Sequence, residues 1–300
     1  MKTHSLFNKH LLTFWLLLFT VATSVNLYAQ ETKEDDAIDI LLDELFFNDE
    51  QFINDILDSF NTYHFIYTNV SFNSNTFFTG RDSGVDQFNI VPQISYYNAS
   101  GFNMSVSGIY YESFIPNWDF TNVSLGYYNT IGKNKLFNYN LGYTRYFYAN
   151  GWDTFTNSID LSFGVRNKKR TLGTKLATSY LFGTDQSFQL VSRTYANINL
   201  AKEKNFNLNF RPQISFTAAQ QTTALEQLNT IGDVTTVEYI FNDVFDLLNT
   251  QINIPLSLST KSWDFELGYN INLPSRLKTE PELKSTSFFS ISIGYLIDLK

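Results

Sequence analysis

The sequence predicts an all-β protein, an antiparallel up-and-down transmembrane β-barrel of about 12 strands, preceded by a short helical N-terminal segment. Three observations predict it. From about residue 62 apolar and polar residues alternate with period two, so each strand carries one apolar and one polar face. Most of these runs span about 9 to 13 residues. Soluble strands average about 5–6 residues, whereas a tilted strand crossing a bilayer needs about 9–11. The connections alternate between short turns and longer loops, as in barrels whose two rims face different compartments.

Composition narrows the function classes. The 300 residues hold no cysteine, which excludes a disulfide scaffold, thiolate metal sites, a Cys nucleophile and a lipid-modified N-terminal cysteine. With 29 Phe, 18 Tyr and 4 Trp the chain is too aromatic to be disordered. Its 21 basic residues against 29 acidic ones exclude a nucleic-acid partner. The negative charge is local. Residues 30–60 hold Lys33 against eleven acids, while residues 61–300 hold 18 basic and 18 acidic groups. The domain map follows: 1–29, 30–61 and 62–300.

Residues 1–29 read as an export signal. Lys2 and Lys9 precede a nearly unbroken apolar run from Leu11 to Val25, and Ala29 supplies a small residue before Gln30. No later apolar run approaches 18 residues, so no membrane-spanning helix is expected in the mature chain. In the acidic segment the period changes. Ile38, Leu41, Leu42 and Leu45 share one helical face, as do Phe52, Ile53, Ile56, Leu57 and Phe60. Asn48 with Gln51 resembles a capping box opening the second helix. These helices could plug the lumen, pack on the periplasmic rim or bind a partner. A plug or rim place is preferred, because the apolar faces need burial.

The strands then follow in order. After a less clean run at 63–78, Phe88, Ile90 and Ile94 oppose Gln87, Asn89 and Gln93. Phe102, Met104 and Val106 oppose Asn103, Ser105 and Ser107, followed by a run at 118–128. Phe137, Tyr139 and Leu141 oppose Asn138, Asn140 and Gly142, and Ile159, Leu161 and Phe163 oppose Asp160, Ser162 and Gly164. Runs at 171–182 and 187–200 lead to Leu208, Phe210, Ile214 and Phe216. Ile252, Ile254 and Leu256 come next, then Trp263 to Leu273, and last Phe289 to Leu299. Short turns lie at 98–101, 132–135, 167–170, 201–205 and 260–262. They carry Lys133, Lys135, Lys168, Lys169, Arg170, Lys202, Lys204 and Lys261, which would snorkel at one interface. The other connections include 80–84, 274–286 and a long loop at about 219–247.

Few residues carry chemistry. His64 is the one histidine after the export signal, and a lone histidine near a strand start reads as interfacial before it reads as a catalytic base. No metal-ligand spacing and no phosphate loop is present, so no catalytic residue, metal or cofactor is expected. Asp160, Lys175, Arg193 and Arg211 share lumen parity at similar depth counted from their turns, and Asp264 and Glu266 face the same lumen nearer one end. This constellation reads either as a salt-bridged filling or as a constriction that sorts solutes by charge. Arg145 and Thr174 break their strands' pattern, through a bulge or an interfacial place. Pro92 and Pro212, each lacking a ladder donor, are expected to mark bulges.

The signal, the long amphipathic strands, the alternating turns and the apolar-aromatic last strand together resemble a Gram-negative outer-membrane β-barrel. The Asn-, Tyr- and Phe-rich strands and the Ala29–Gln30 junction are similar to those of uncharacterised Bacteroidota barrel proteins. The resemblance implies a place in the outer membrane, with its lipid and the barrel assembly machinery as partners. It departs in ending on Leu299 and Lys300, which leaves recognition to Tyr295 and its neighbours. Three functions remain open: a channel for small polar solutes, a closed barrel serving as a surface-binding or structural platform, and a lipid-acting barrel enzyme using His64.

Overall fold

The computed structural model describes residues 64–82, 86–113, 115–151, 154–231, 234–277, 280 and 282–299, with side chains described outside 221–243. The expected export signal and helices, with Ile38, Leu41, Leu45, Phe52, Ile56 and Phe60, lie outside the described residues.

The described chain is a meander of β1 (His64–Asn73), β2 (Asn89–Asn98), β3 (Phe102–Tyr111), β4 (Trp118–Ile131), β5 (Phe137–Tyr148), β6 (Asn157–Arg166), β7 (Leu172–Phe182), β8 (Gln186–Ala196), β9 (Ile198–Lys202), β10 (Asn207–Phe210), β11 (Gln213–Ile231), β12 (Val234–Ser259), β13 (Trp263–Pro274) and β14 (Thr286–Asp298). β8 runs on into β9 across Asn197, and β10 into β11 across Arg211 and Pro212, so fourteen segments make twelve staves. β1 pairs with β2 on one side and β14 on the other, and β11 pairs with both β8 and β12. The sheet therefore closes on itself as a 12-strand antiparallel barrel. Closure leaves no sheet edge, which is what a backbone surrounded by hydrocarbon requires.

The two faces divide as the alternation predicts. Ile291, Ile293, Tyr295 and Ile297 point outward from β14, each at least 37% exposed, while Gly294 among them and Ser290 just before them are buried. Phe102, Met104 and Val106 do the same on β3, and Ile159, Leu161, Phe163 and Val165 on β6. An apolar belt of this extent around a whole molecule is far larger than the patches soluble monomers expose.

The short turns gather at the end that holds His64 and Leu299, whose backbones meet at 2.8 Å. Gly101 shows why one of them needs glycine. Its φ is +95°, and a Cβ there would run into the Tyr128 carbonyl oxygen.

The prolines act differently from each other. Pairing lapses at Arg211–Pro212 and divides β10 from β11. At Pro92 the β2–β3 ladder skips two residues and resumes in the same register, from Ile90↔Tyr110 to Gln93↔Ser107, so no residue is inserted there. Register shifts fall instead beside Tyr110, Asn209 and Ala218. Arg145 and Thr174 lie in unshifted ladders and simply face outward. Arg145 stands over the Phe147 ring at 5.7 Å, and Thr174 shares a hydroxyl hydrogen bond with Thr194 at 3.0 Å.

Two expected boundaries change. The segment 219–247 is not a loop. β11 and β12 stay paired as far as Ile231↔Val234 and form a long hairpin beyond the barrel wall. Once a strand pair leaves lipid, nothing imposes apolar–polar alternation, so its periodicity vanishes while its β-branched content (Thr222, Thr223, Val234 to Val237) persists. The run at 63–78 also ends early as a strand, at Asn73, after which the chain turns inward.

Candidate functional site

The polar faces of the strands enclose the lumen. On β12, β13 and β14 the inward amides bind one another. Asn249 Nδ2 and Gln251 Nε2 both donate to Asn272 Oδ1, at 3.1 and 3.0 Å. Asn270 Nδ2 donates to Ser290 Oγ at 3.1 Å, and Ser292 Oγ donates to Asn69 Oδ1 at 2.8 Å. Asn253 Nδ2 donates to Asn270 Oδ1, and Asn249, Asn253 and Asn272 are almost wholly buried.

On the opposite wall Ser107 Oγ donates to Asn122 Oδ1 at 2.6 Å, and the Ser124 and Thr144 hydroxyls meet at 2.8 Å. A cavity of about 200 Å³ lies against the inward faces of β2 to β8. Its border includes Ser105, Ser124, Asn140, Ser162, Asp160 and Lys175. Small residues, Gly142 and Ala177 among them, make the room. Inward aromatics bracket the lumen. Phe65, Tyr67 and Tyr128 cluster with Tyr97 near the short-turn end. Phe120 meets Tyr146 and Tyr148 edge-on at 5.9 and 5.6 Å near the other.

The structure places every member of the expected charge constellation on a strand or strand junction, but not on one level. Lys175 and Arg193 are direct register partners across β7 and β8. Asp160 pairs with Ser179, four positions along β7 from Lys175, on the order of 13 Å along the strand. Arg211 stands four positions below Ser215, which is the partner of Arg193. Arg193, Arg211 and Asp264 are buried. Asp264 accepts the Ser259 hydroxyl at 2.6 Å and feels the Arg211 charge. Glu266 pairs with Ser257 and Ser292 in the ladders. Asp160, Lys175, Arg193, Arg211 and Glu266 all have partners beyond these.

Sequence reasoning missed the feature that narrows the mouth. After β1 the chain does not arch away. Residues Ser74 to Arg81 fold in over β14, β13 and β12. Ser74 exchanges hydrogen bonds with Phe289, Phe77 meets the inward Phe288 ring at 6.1 Å, and Thr286 Oγ1 donates to the Gly80 carbonyl at 2.9 Å. Gly80 has φ +74°, and a Cβ there would strike the Asn249 and Asn272 side chains, so only glycine lets the loop lie this close. Thr76, Phe77, Phe78 and Thr79 are buried.

Arg81 locks the loop. Its Nε and Nη2 hold the two Glu280 oxygens at 2.9 and 3.1 Å, while Nη1 donates to Thr79 Oγ1 at 2.8 Å and to the Leu248 carbonyl at 3.2 Å. Nη2 also donates to the Ser275 carbonyl at 3.0 Å. Desolvation raises the Glu280 carboxyl, but the Arg81 hydrogen bond, the Leu277 N–H and the Arg81 charge outweigh it and hold the group below its usual range. Below the clasp the β12 bulge turns Leu248 inward against Ala219 and Leu277. In the sequence Arg81 sat in a short polar loop and Glu280 in another, 199 positions apart, with no pattern to link them.

His64 is exposed at the short-turn end, with its Nδ1 3.1 Å from the Tyr96 hydroxyl. Among the described residues no three His, Asp or Glu side chains come together as a metal site would need.

No protein-family model and no curated protein matches the chain. Among solved structures, the KdgM porin is similar at 12% identity with a TM-score of 0.44, covering 77% of this chain and 98% of that one. The NanC porin is similar at 9% identity with a TM-score of 0.44, covering 78% and 100%. LpxR from Salmonella typhimurium is similar at 8% identity with a TM-score of 0.44, covering 77% and 99%. Likenesses this distant carry no functional argument.

Proposed function

We propose that the chain is an exported, integral outer-membrane β-barrel acting as a channel for small polar solutes. One observation carries the reading: a closed ring of strands presents a predominantly apolar belt outside and a polar, cavity-bearing wall inside. Hydrocarbon lipid suits the first face and water with dissolved solutes suits the second. Outer-membrane lipid covers the belt, and the assembly machinery reads the last strand around Tyr295. The loop at 74–81 narrows one mouth, so the pore is small.

The test is conductance in planar bilayers, using refolded chain from Gln30 onward and a second form lacking residues 30–60. Discrete small conductance steps are expected in at least the shortened form. Silence in both forms sinks the channel.

The long hairpin of β11 and β12 favours a second reading, a surface-binding platform, since paired strands carried beyond the wall offer surface rather than passage. Removing residues 220–246 should leave conductance intact if the channel is the function, and abolish surface binding if the platform is.

A further inference from the structure

The short-turn end of the barrel carries an unbalanced charge. Lys133, Lys168, Lys169, Lys202, Lys204 and Lys261 are exposed there, and the exposed acids beside them among the described residues are Glu203 and Asp298. None of these lysines has an ion-pair partner among the described residues. Two of the turns, 201–205 and 260–262, bound a groove of about 650 Å³ lined by Lys204, Lys261, Phe206, Trp263 and Tyr295. The three rings are each at least 36% exposed, and Trp263 meets Tyr295 at 4.6 Å. An aromatic floor between ammonium groups suits a partner that brings carboxylates and apolar side chains together.

The chain itself supplies such a partner. Residues 32–60 hold Lys33 against ten acids. Within them Phe52, Ile56 and Phe60 recur every four residues, the spacing of one helical face, interspersed with Asp49, Glu50, Asp55 and Asp58. The backbone from Phe60 to His64 can span at most about 14 Å, at about 3.5 Å per residue, which ties the segment to the short-turn end. Tyr295 and Trp263 stand on β14 and β13, the first and second staves from β1, about 5 and 10 Å away across the sheet. An anionic lipid surface would repel so acidic a segment, whereas the lysines attract it.

We infer that the groove between these two turns is the docking site of the chain's own acidic segment, residues 32–60. Lys204 and Lys261 pair with its carboxylates, and the three rings cover Phe52, Ile56 and Phe60. The segment is then a strap on the rim and leaves the lumen unplugged. A tethered segment acts at an effective concentration of about 1 mM, so a docking constant of about 0.1 mM leaves only about a tenth of the grooves open.

The chain has no cysteine, so Asn205→Cys places a single thiol in the groove. Its reaction with N-ethylmaleimide is followed in zwitterionic micelles, for the chain from Gln30 onward and for the same chain lacking residues 32–60. The thiol should react about tenfold more slowly in the longer form, and the difference should shrink at about 1 M salt, where charges are screened beyond about 3 Å. Lys204→Glu combined with Lys261→Glu should remove the difference. Lys168→Cys, on a turn outside the groove, should react alike in both forms. Retained heat-modifiable migration on gels confirms folding of each form, and if the Glu pair does not fold, the salt series carries the test. Equal rates for Asn205→Cys in the two forms overturn the docking, and so does equal slowing at Lys168→Cys or a difference that survives the Glu pair. If the two forms react equally and phosphatidylglycerol slows both, the groove holds an anionic lipid headgroup instead of the segment.

Discussion

Arg81→Ala releases the folded-in loop in the sharpest way. The side chain makes a two-point pair with Glu280 and donates to Thr79, Leu248 and Ser275. Truncation removes all of these together and leaves Glu280 Oε1 and the Ser275 carbonyl without their Arg81 donors, while the Leu277 N–H still reaches Glu280 Oε2 and the Ser275 N–H still reaches the Leu248 carbonyl. The pair is 17% and 24% exposed, so water screens part of the ionic attraction. Charged hydrogen bonds of this kind and the orphaned acceptors together make the local cost about 2–3 kcal/mol. At about 1.4 kcal/mol per decade, the released loop should become about 30- to 150-fold more populated. Hydrogen exchange followed by mass spectrometry in detergent micelles reads this directly, since exchange through local opening scales with that population. Amides of residues 74–81 should exchange faster by that factor, while those of β3 to β7 stay as slow as before. Unchanged exchange at 74–81 would refute the clasp, and a uniform rise across all strands would show that Arg81 supports the whole barrel instead.

Three further outcomes follow from named contacts. Because the Glu280 carboxyl is held below its ordinary 4.5, its contribution to the clasp is complete above that pH and is lost as pH falls through the lower folded value; intrinsic-rate-corrected exchange of the loop should rise only in that acid window, and Glu280→Gln should abolish the pH dependence. Leu267, 43% exposed on the outward face of β13, should cost about 2–4 kcal/mol when changed to Arg, whereas Ser105→Lys on the cavity side should cost under about 1 kcal/mol, both read by urea unfolding in lipid vesicles; similar costs would mean that the two faces are misassigned. Gly101→Val sets a branched side chain at φ +95° against the Tyr128 carbonyl, a strain of about 1–3 kcal/mol, and should lower the yield of folded, heat-modifiable barrel at the β2–β3 turn.

The outward and inward faces of the barrel were legible in the sequence, strand by strand. Phe102, Met104 and Val106 against Asn103, Ser105 and Ser107 need no knowledge of a neighbour, because lipid and lumen stamp period two on each strand separately. The stave count and the short-turn rim were legible for the same reason. Alternation also misled where its cause was missing: past Ala219 the strand pair leaves the wall, the pattern stops, and a hairpin reads as a loop. The charged lumen residues could be placed on a face but not on a level, since Lys175 meets Arg193 only through a register that no single strand encodes. The clasp of Arg81 on Glu280 and the inward turn of residues 74–81 belong to the tertiary structure alone. They depend on which distant backbones closure brings within hydrogen-bonding reach, and one strand's periodicity holds no information about that distance.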